Sequence, residues 1–368
     1  MIKIEEKVLF HLIQIALGKG DVSSLPNVVN WGEVYDLAVA QGIIALTWSD
    51  VISAQSTSLG IDEELKYKWI GQQFVVEQTN LKKWESAHNL SALWRSNGIK
   101  PVVLKGLSYA RLYPNPLHRA CSDLDTFLFD EWEKGNQLVE ETGVKVSRGY
   151  YKDSSFSFGE LFVENHRFCS PIRGGEKRKQ YEKYLRSLLT GVSLKKIEGT
   201  DFYTPPALFN ILFFLSHAQN HFLNEGGITL RHVCDWAMIM RAYSPETLSK
   251  HDQVDGEELW GEVIKKCAEY KLIKFAYSIS QVAKVVCGVA IPFDCPVNEK
   301  ADDALLSEIL HPTCQHVEFS NGWHTRWQLV ISTLQSGWKF RLYSEQSMFK
   351  SLIQSVWAFL FEREPRLE

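Results

Sequence analysis

Two aspartates, Asp123 and Asp125, are separated by one residue on a segment whose composition predicts a β-strand. Side chains two positions apart on a strand point to the same face, so the two carboxylates are expected side by side. Neighbouring carboxylates repel each other unless a cation lies between them, and Mg²⁺ prefers such oxygen ligands while keeping positions for water and phosphate. Upstream, Gly106 lies between a predicted strand and a predicted helix, where backbone N–H groups can approach a triphosphate closely. The spacing therefore predicts a site for Mg²⁺ and a phosphorylated ligand.

An Asp-x-Asp pattern alone has little specificity, because about one is expected by chance in a chain of this length. The surrounding pattern favours function over chance. A short apolar strand at 101–104 is followed by a glycine-containing turn, a helical stretch and the Ser-Asp-Leu-Asp strand at 122–125. This order of elements brings the glycine turn and the aspartates to the same part of a sheet.

Two cationic residues accompany the aspartates. Arg119 precedes them and can neutralise a phosphate through its planar guanidinium, or it can form a structural ion pair with Asp123. Lys105 ends the strand before the glycine turn, where it can contact a triphosphate or be an ordinary surface lysine. We expect Arg119 to contact phosphate and leave both readings of Lys105 open.

Two further pairs lie on predicted helices. His217 and His221 are four residues apart and share a helix face, which suits a metal pair but is more typical of packing or hydrogen-bonding histidines. Arg231 and Asp235 have the same spacing and are expected to form a local ion pair.

The elements that must position these residues fall into three regions. Helical periodicity dominates residues 1–98, in which 62–97 is predicted to form one long helix or a kinked pair. Residues 99–200 alternate short strands with helices, and helical periodicity returns over 201–368. The specific predictions are strands at 101–104, 124–129, 144–150 and within 155–168, and helices at 3–17, 30–40, 62–97, 107–113, 131–141, 206–223, 228–243, 257–270, 272–287, 301–310, 323–340 and 345–362.

Composition excludes several classes of protein. The chain has 368 residues, of which 45% are hydrophobic and 23% are charged, so it is neither disordered nor fibrous. Its net charge of −4 provides no general attraction for nucleic acid or an anionic membrane.

The cysteines and the apolar segments predict a cytoplasmic protein without a membrane partner. The N-terminal apolar stretch is interrupted by Glu5, Glu6 and His11, which argues against a secretory signal, and later apolar runs are too short to span a bilayer. The 7 cysteines are scattered without a Cys-x-x-Cys pair. Free thiols in a reducing compartment fit this pattern better than disulfides or a zinc ribbon.

The complete motif resembles a known group of enzymes. Leu-Lys-Gly at 104–106, Leu-Tyr-Pro at 112–114, Arg119 and Ser-Asp-Leu-Asp at 122–125 are similar to the nucleotidyltransferase superfamily that includes DNA polymerase β and the aminoglycoside nucleotidyltransferases. Within it, the chain resembles a bacterial family of uncharacterised nucleotidyltransferases. The resemblance covers the α/β block and, more weakly, residues 205–243. It implies an α+β fold with a small mixed sheet flanked by N-terminal and C-terminal helical regions.

The resemblance also implies an activity and a set of site residues. A nucleoside monophosphate would pass from a nucleoside triphosphate, such as ATP, to a hydroxyl acceptor with the help of two Mg²⁺ ions. The metal ligands would be Asp123, Asp125 and Glu164, and Glu164 would also act as general base. The nucleotide contacts would come from the glycine turn and the strand that follows it, at Lys105, Gly106, Ser108, Arg119 and Ser122.

Glu164 is chosen as the third carboxylate because superfamily members carry one on a neighbouring strand. Alternation over 158–166 puts Glu160, Glu164 and His166 on one face and excludes Asn165. Glu164 matches the acidic residue that precedes a histidine in the family, and Glu160 is the reserve candidate. A solvated edge-strand charge is the alternative reading of Glu164.

The chain departs from the superfamily in its glycine turn, where Leu107 interrupts the usual Gly-Ser or Gly-Gly pair. This departure favours a second hypothesis, a catalytically inactive protein that binds a nucleotide or a partner on the same fold. A helical scaffold with an incidental acidic pair is the third. The acceptor, whether a small molecule or a macromolecule, is not indicated by any motif, nor are the base of the triphosphate and the oligomeric state.

Overall fold

The computed structural model describes residues 2–344, apart from 27, 151–152, 171–174, 225, 252–254 and 314–336, and also residue 353. In this part of the chain, helices precede and follow a mixed sheet, which confirms the predicted α+β fold. The predicted helix at 345–362 and most of the one at 323–340 lie outside the described residues. Over the same described ranges, each helix is too short or too polar to cross a lipid bilayer.

Five helices precede the sheet, and two of them begin at caps that the sequence provides. Asn30 accepts a hydrogen bond from the backbone N–H of Glu33, and Asp62 accepts one from that of Leu65. The second cap starts a single long helix, which is one of the two arrangements expected for residues 62–97. The five helices are α1 (Ile4–Ala16), α2 (Trp31–Ala40), α3 (Ile44–Thr47), α4 (Asp50–Gln55) and α5 (Glu63–Ser96).

The sheet has 7 strands in the order β3-β4-β5-β2-β1-β7-β6. Its central pairs are mixed, because β2 runs parallel to β5 but antiparallel to β1, and β1 runs parallel to β7. The strands are β1 (Val102–Val103), β2 (Leu124–Phe127), β3 (Ser147–Tyr150), β4 (Asp153–Phe158), β5 (Leu161–His166), β6 (Lys195–Lys196) and β7 (Tyr203–Thr204).

Three helices connect the strands, and further helices form the C-terminal region. The connecting helices are α6 (Leu107–Ala110), α7 (Trp132–Glu141) and α8 (Gly175–Leu189). The C-terminal helices are α9 (Ala207–Asn224), α10 (Leu230–Ala242), α11 (Pro245–His251), α12 (Gly256–Glu269), α13 (Ile273–Cys287), α14 (Glu299–Leu310) and α15 (Gly337–Tyr343).

The two faces of the sheet bury different hydrophobic cores. Val103 and Leu124 pack with the end of α5, around Trp94, in the smaller core. Val102 and Phe127 point to the opposite face and join the larger core, which the C-terminal helices share. Asp125 has the same strand parity as Phe127, so its side chain points towards the C-terminal helices.

The N-terminal and C-terminal helical regions share the larger core. The Gln41 side chain at the end of α2 links them directly. It donates to the Ile309 carbonyl of α14 at 2.9 Å and accepts from the Leu230 N–H at the start of α10 at 2.8 Å. The sheet extends to Thr204, just beyond the boundary at residue 200 that the sequence indicates.

Candidate active site

Asp125 and Glu164 are paired residues of the parallel strands β2 and β5. Paired residues on adjacent strands point to the same face, so the two carboxylates lie side by side. The Asp125 side chain is fully buried, whereas the Glu164 side chain is 35% exposed. The reserve candidate, Glu160, lies in the turn between β4 and β5.

His166 contacts both carboxylates from the end of β5. Its Nε2 lies 2.8 Å from Asp125 Oδ1 and 3.6 Å from Glu164 Oε2. Burial lowers the pKa of His166, but its hydrogen bonds with Asp125 and Glu164 outweigh burial and raise the pKa to about 10. The imidazole is therefore protonated near neutral pH and donates to Asp125.

Lys105 joins the two predicted aspartates. Its Nζ lies 3.0 Å from Asp123 Oδ2 and 3.2 Å from Asp125 Oδ2. Burial alone would lower the pKa of Lys105, but Asp125 and Asp123 raise it above its usual range. Burial likewise would raise the pKa of Asp123, but Lys105, Ser122 and Arg231 hold it well below its usual range. The three carboxylates of this acidic cluster, those of Asp123, Asp125 and Glu164, are partly neutralised by two cations, Lys105 and His166.

Gly106 is required by the close approach of the turn to the start of β2. Its φ is +75°, and a Cβ at this position would lie 2.9 Å from the Asp123 carbonyl oxygen. A larger residue would therefore be strained and would push Asp123 away. The glycine predicted from the motif thus lies directly against Asp123.

Two histidines of α9 lie beside Lys105. His217 Nε2 is 3.4 Å from Lys105 Nζ, and the His217 and His221 rings have centroids 4.4 Å apart. Burial and the positive charge of Lys105 hold the pKa of His217 well below its usual range, so the ring is neutral and accepts from the ammonium. Within the described residues, the only group of three or more His, Cys, Asp or Glu side chains with metal-binding spacing consists of Asp125, Glu164 and His166. His217 and His221 are not part of this group.

Arg119 has a different role from the phosphate contact predicted for it. Its Nε and Nη2 each donate to the Asp235 carboxylate at 2.7 Å, and both side chains are almost fully buried. Tyr113 donates to the same carboxylate at 2.7 Å. The predicted Arg231–Asp235 pair is therefore wrong, since Asp235 is occupied by Arg119. The guanidinium instead fixes the segment before β2 to α10.

The two predicted serines differ in position. Ser108 is buried and its Oγ is 2.8 Å from Thr204 Oγ1 on β7. This burial argues against the nucleotide contact predicted for Ser108. Ser122 is exposed and donates to Asp123 Oδ1 at 2.7 Å.

The segment before β2 is held at its backbone carbonyls by side chains from the two helical regions. Asn80 of α5 donates to the carbonyls of Leu117 and Arg119 at 2.7 and 3.0 Å. Lys83 of α5 donates to the Cys121 carbonyl, and Arg231 of α10 donates to the Ala120 carbonyl at 3.2 Å. Both helical regions therefore contribute to placing Asp123, a relationship that no local motif in the sequence shows.

The acidic cluster suits a divalent cation. The ligand atoms of Asp125, Glu164 and His166 lie within 4.8 Å of one another. His166 can bind a metal ion through its ligand nitrogen only after that nitrogen has lost its proton. Asp125 Oδ2 is buried and accepts no hydrogen bond of good geometry from the described residues, and its one close partner is the Lys105 ammonium. A buried carboxylate oxygen in this state has a lone pair available for a cation. Asp123 lies next to this group, on the other side of Lys105.

The chain matches the family model described as an uncharacterised nucleotidyltransferase over residues 27–288. It belongs to this family. The matched range includes α5, the whole sheet and α10, and thus every residue of the acidic cluster and the segment that positions it. No solved structure matches the chain. This family is the one that the Leu-Lys-Gly and Ser-Asp-Leu-Asp motifs resemble.

Proposed function

We propose that this protein is a divalent-cation-dependent nucleotidyltransferase that transfers a nucleoside monophosphate from a nucleoside triphosphate to a hydroxyl acceptor. The observation that carries the proposal is the grouping of Asp125, Glu164 and His166, whose ligand atoms lie within 4.8 Å of one another. The family to which the chain belongs supports the class of reaction. Its description leaves the acceptor open.

We assign the residues of the site to two tasks. Asp123, Asp125 and Glu164 would hold two Mg²⁺ ions, which in such sites neutralise phosphate charge and lower the pKa of the attacking hydroxyl. The Asp125 side chain has no exposed surface, so it can bind a metal ion but cannot take a proton from an acceptor hydroxyl. Glu164 is the more exposed carboxylate and is therefore the one placed to accept the proton of the acceptor hydroxyl.

The proposed transfer is balanced in atoms and charge. The acceptor oxygen forms a bond to the α-phosphorus, and the bond between that phosphorus and the oxygen bridging to the β-phosphate breaks. Pyrophosphate leaves with the bonding electrons, and Glu164 takes the hydroxyl proton. Lys105, which contacts both aspartates, is close enough to the site to contact a phosphate as well.

We further propose that the enzyme works in the cytoplasm. The support comes from the cysteines, since the described residues include six free thiols, those of Cys121, Cys169, Cys234, Cys267, Cys287 and Cys295. Thiols persist in reducing compartments.

One observation favours a second function, nucleotide binding without transfer. Superfamily members use a serine next to the turn glycine, whereas here Ser108 is buried against Thr204. A protein that has lost this contact can still bind a nucleotide through its acidic cluster and its cations. The two functions differ in whether the bond between the α-phosphorus and the oxygen bridging to the β-phosphate is ever broken.

The first experiment measures thermal stabilisation by MgCl₂, by each of the four nucleoside triphosphates, and by both together. We expect stabilisation that requires both components, because the cation links the carboxylates to the phosphates. The Asp125→Asn variant should lose this joint effect. Equal stabilisation of the wild type and the variant would exclude the cation site.

The second experiment distinguishes transfer from binding. The preferred triphosphate is supplied with its label in either the α- or the γ-phosphate, together with a panel of sugar, aminoglycoside, peptide and RNA hydroxyl acceptors. Nucleotidyl transfer predicts that label from the α-phosphate alone appears in the acceptor. Binding without release of pyrophosphate for any acceptor favours the second function.

A further inference from the structure

Arg231 and Lys83 form no ion pair with a carboxylate among the described residues, although the charge of Arg231 helps to lower the pKa of Asp123. The carboxylate expected for Arg231, Asp235, is taken by Arg119 in a bidentate ion pair. Both cations are partly buried, and each donates only to a neutral backbone carbonyl in the described structure. Charge that is partly removed from water is costly unless an opposite charge compensates it. An anionic ligand would supply this compensation.

The position of the two cations, close to Asp123 and Lys105, indicates which anion they would bind. Arg231 contacts the Ala120 carbonyl and Lys83 contacts the next one, at Cys121. The chain then continues through Ser122 to Asp123. On the other side of the same segment, Gly106 lies against Asp123, and the Lys105 ammonium contacts the Asp123 carboxylate. Three cations from separate elements therefore surround the start of the catalytic strand.

We propose that Lys83 and Arg231 bind the β- and γ-phosphates of the nucleoside triphosphate. This inference rests on the proposed function and assigns its triphosphate subsite to residues outside the glycine turn. Arg231 uses one N–H, on Nη1, in its described contact, so its other N–H groups remain for phosphate oxygens. The motif indicates Arg119 for phosphate binding, but the Arg119 side chain is buried in its ion pair with Asp235.

The same placement gives the phosphates a structural effect. Lys83 belongs to α5 and Arg231 to α10, so a triphosphate held by both links the two helical regions across the segment that carries Asp123. Each phosphate contact replaces or supplements a contact to a backbone carbonyl of that segment. Triphosphate binding is therefore expected to stabilise the fold more than monophosphate binding does.

The test uses inorganic tripolyphosphate with MgCl₂ as a probe without a base, measured by isothermal titration on the full chain. We compare Lys83→Met and Arg231→Gln with two matched controls. Lys82→Met removes the neighbouring exposed lysine of α5, and Arg241→Gln removes another arginine of α10 that donates to a backbone carbonyl, that of Leu17. Each site variant should lose about tenfold in affinity for tripolyphosphate, while each control stays within about twofold of the wild type.

Two further measurements separate phosphate binding from a structural role. The affinity for Mg²⁺ alone should change far less than the affinity for tripolyphosphate in Lys83→Met and Arg231→Gln, and Arg231→Lys should recover most of the tripolyphosphate affinity. Wild-type affinity in the site variants would overturn this inference and leave the proposed function intact. An equal loss of Mg²⁺ binding would also overturn it, because the residues would then act through Asp123. A wild type that binds neither tripolyphosphate nor any nucleoside triphosphate would contradict the proposed function itself.

Discussion

Asp125 on β2 is the parallel-strand partner of Glu164 on β5, and one imidazole, that of His166, contacts both carboxylates. This relationship joins residues about 40 positions apart in the sequence into one cluster. It also separates their environments, because Asp125 is fully buried while Glu164 retains access to solvent. A buried metal ligand and an accessible general base are the two roles that the proposed transfer requires.

The first prediction concerns Asp125. Asp125→Asn should reduce the affinity for Mg²⁺ and nucleoside triphosphate by about 100-fold or more, because removing a ligand costs at least as much as removing the residues that orient it. The measurement is isothermal titration with both components present. Asp130→Asn is the matched control, because Asp130 is a fully exposed aspartate just after the same strand. Retained binding in a folded Asp125→Asn protein, as judged by circular dichroism, would refute the metal site.

The part of this site that could be predicted from the sequence is the part that depends on local geometry. The Asp-x-Asp spacing and the glycine before it fix the strand face and the tight turn, and alternation along β5 correctly separates Glu164 from Asn165. In the structure Asn165 points to the other face and donates to Asn136 of α7. Periodicity along one strand is enough for such predictions.

The part that could not be predicted depends on which element packs against the sheet. Asp235 has an arginine four residues before it on its own helix, yet it pairs with Arg119 because α10 lies against the segment before β2. The i, i+4 rule gives only a small stabilisation, and a buried bidentate pair outweighs it. Similarly, Lys83 lies within a long helix and no motif marks it. Its role follows from tertiary packing alone.

The second prediction concerns competition between Lys105 and metal ions. The ammonium contacts both aspartates, so a cation bound there must displace it. In the absence of nucleotide, Lys105→Met should therefore bind Mg²⁺ about tenfold more tightly than the wild type, which corresponds to the loss of one competing charge-assisted contact. The affinity for Mg²⁺ is measured by titration at fixed ionic strength.

The control for Lys105 is Lys134→Met, which removes a lysine that pairs with Glu131 on the surface. This variant should match the wild type. Unchanged or weaker Mg²⁺ binding by Lys105→Met would show that the ammonium supports the site and does not compete for it.

The third prediction concerns the buried pair of Arg119 and Asp235. Arg119→Met should lower the free energy of unfolding by about 3–5 kcal/mol, because it leaves the Asp235 carboxylate buried with Tyr113 as its remaining partner. The double variant Arg119→Met, Asp235→Leu should lose less than the sum of the two single changes, since neither charge is then left unpaired. Urea denaturation measures all three.

A surface arginine provides the comparison for Arg119. Arg148 contacts Glu133 and Glu140 through partly exposed side chains, so Arg148→Met should cost no more than about 1 kcal/mol. Similar losses for Arg119→Met and Arg148→Met would contradict the structural role assigned to the buried pair.

The fourth prediction concerns pH. In the folded protein the pKa of His166 is raised to about 10, above the value of about 6.5 expected in an unfolded chain. A raised pKa means that the folded state binds the proton more tightly, so the stabilisation is complete below about pH 6.5 and is lost as pH rises through 10. The difference in unfolding free energy between the wild type and His166→Gln should therefore shrink steadily over this window.

Urea denaturation at pH 6, 8 and 10, without divalent cations, measures this difference. His88→Gln is the control, because His88 contacts a backbone carbonyl on the surface and lies outside the acidic cluster. A difference that is constant from pH 6 to pH 10 would show that His166 is not charged in the folded protein.

The last prediction concerns the independence of the sheet. The core on one face of the sheet includes Ala87, Leu90 and Trp94 of α5. Trp94 also donates to the Gly135 carbonyl of α7. The core on the other face is shared with the C-terminal helices. A fragment of residues 99–204 contains every described strand but lacks the parts of both cores that come from α5 and from the C-terminal helices. It should therefore lack a cooperative unfolding transition, because a small sheet needs cover on each side.

Two longer chains show which face matters. A fragment of residues 62–204 restores α5 and one core, so we expect it to gain helical signal but to remain without a sharp transition. The full chain should unfold cooperatively, because both cores are then closed. The measurement is urea denaturation followed by circular dichroism, with the oligomeric state of each fragment determined by sedimentation. If residues 99–204 are monomeric and unfold cooperatively, the helical regions are not needed to form the sheet. Their contacts to the segment before Asp123 would then serve the site alone.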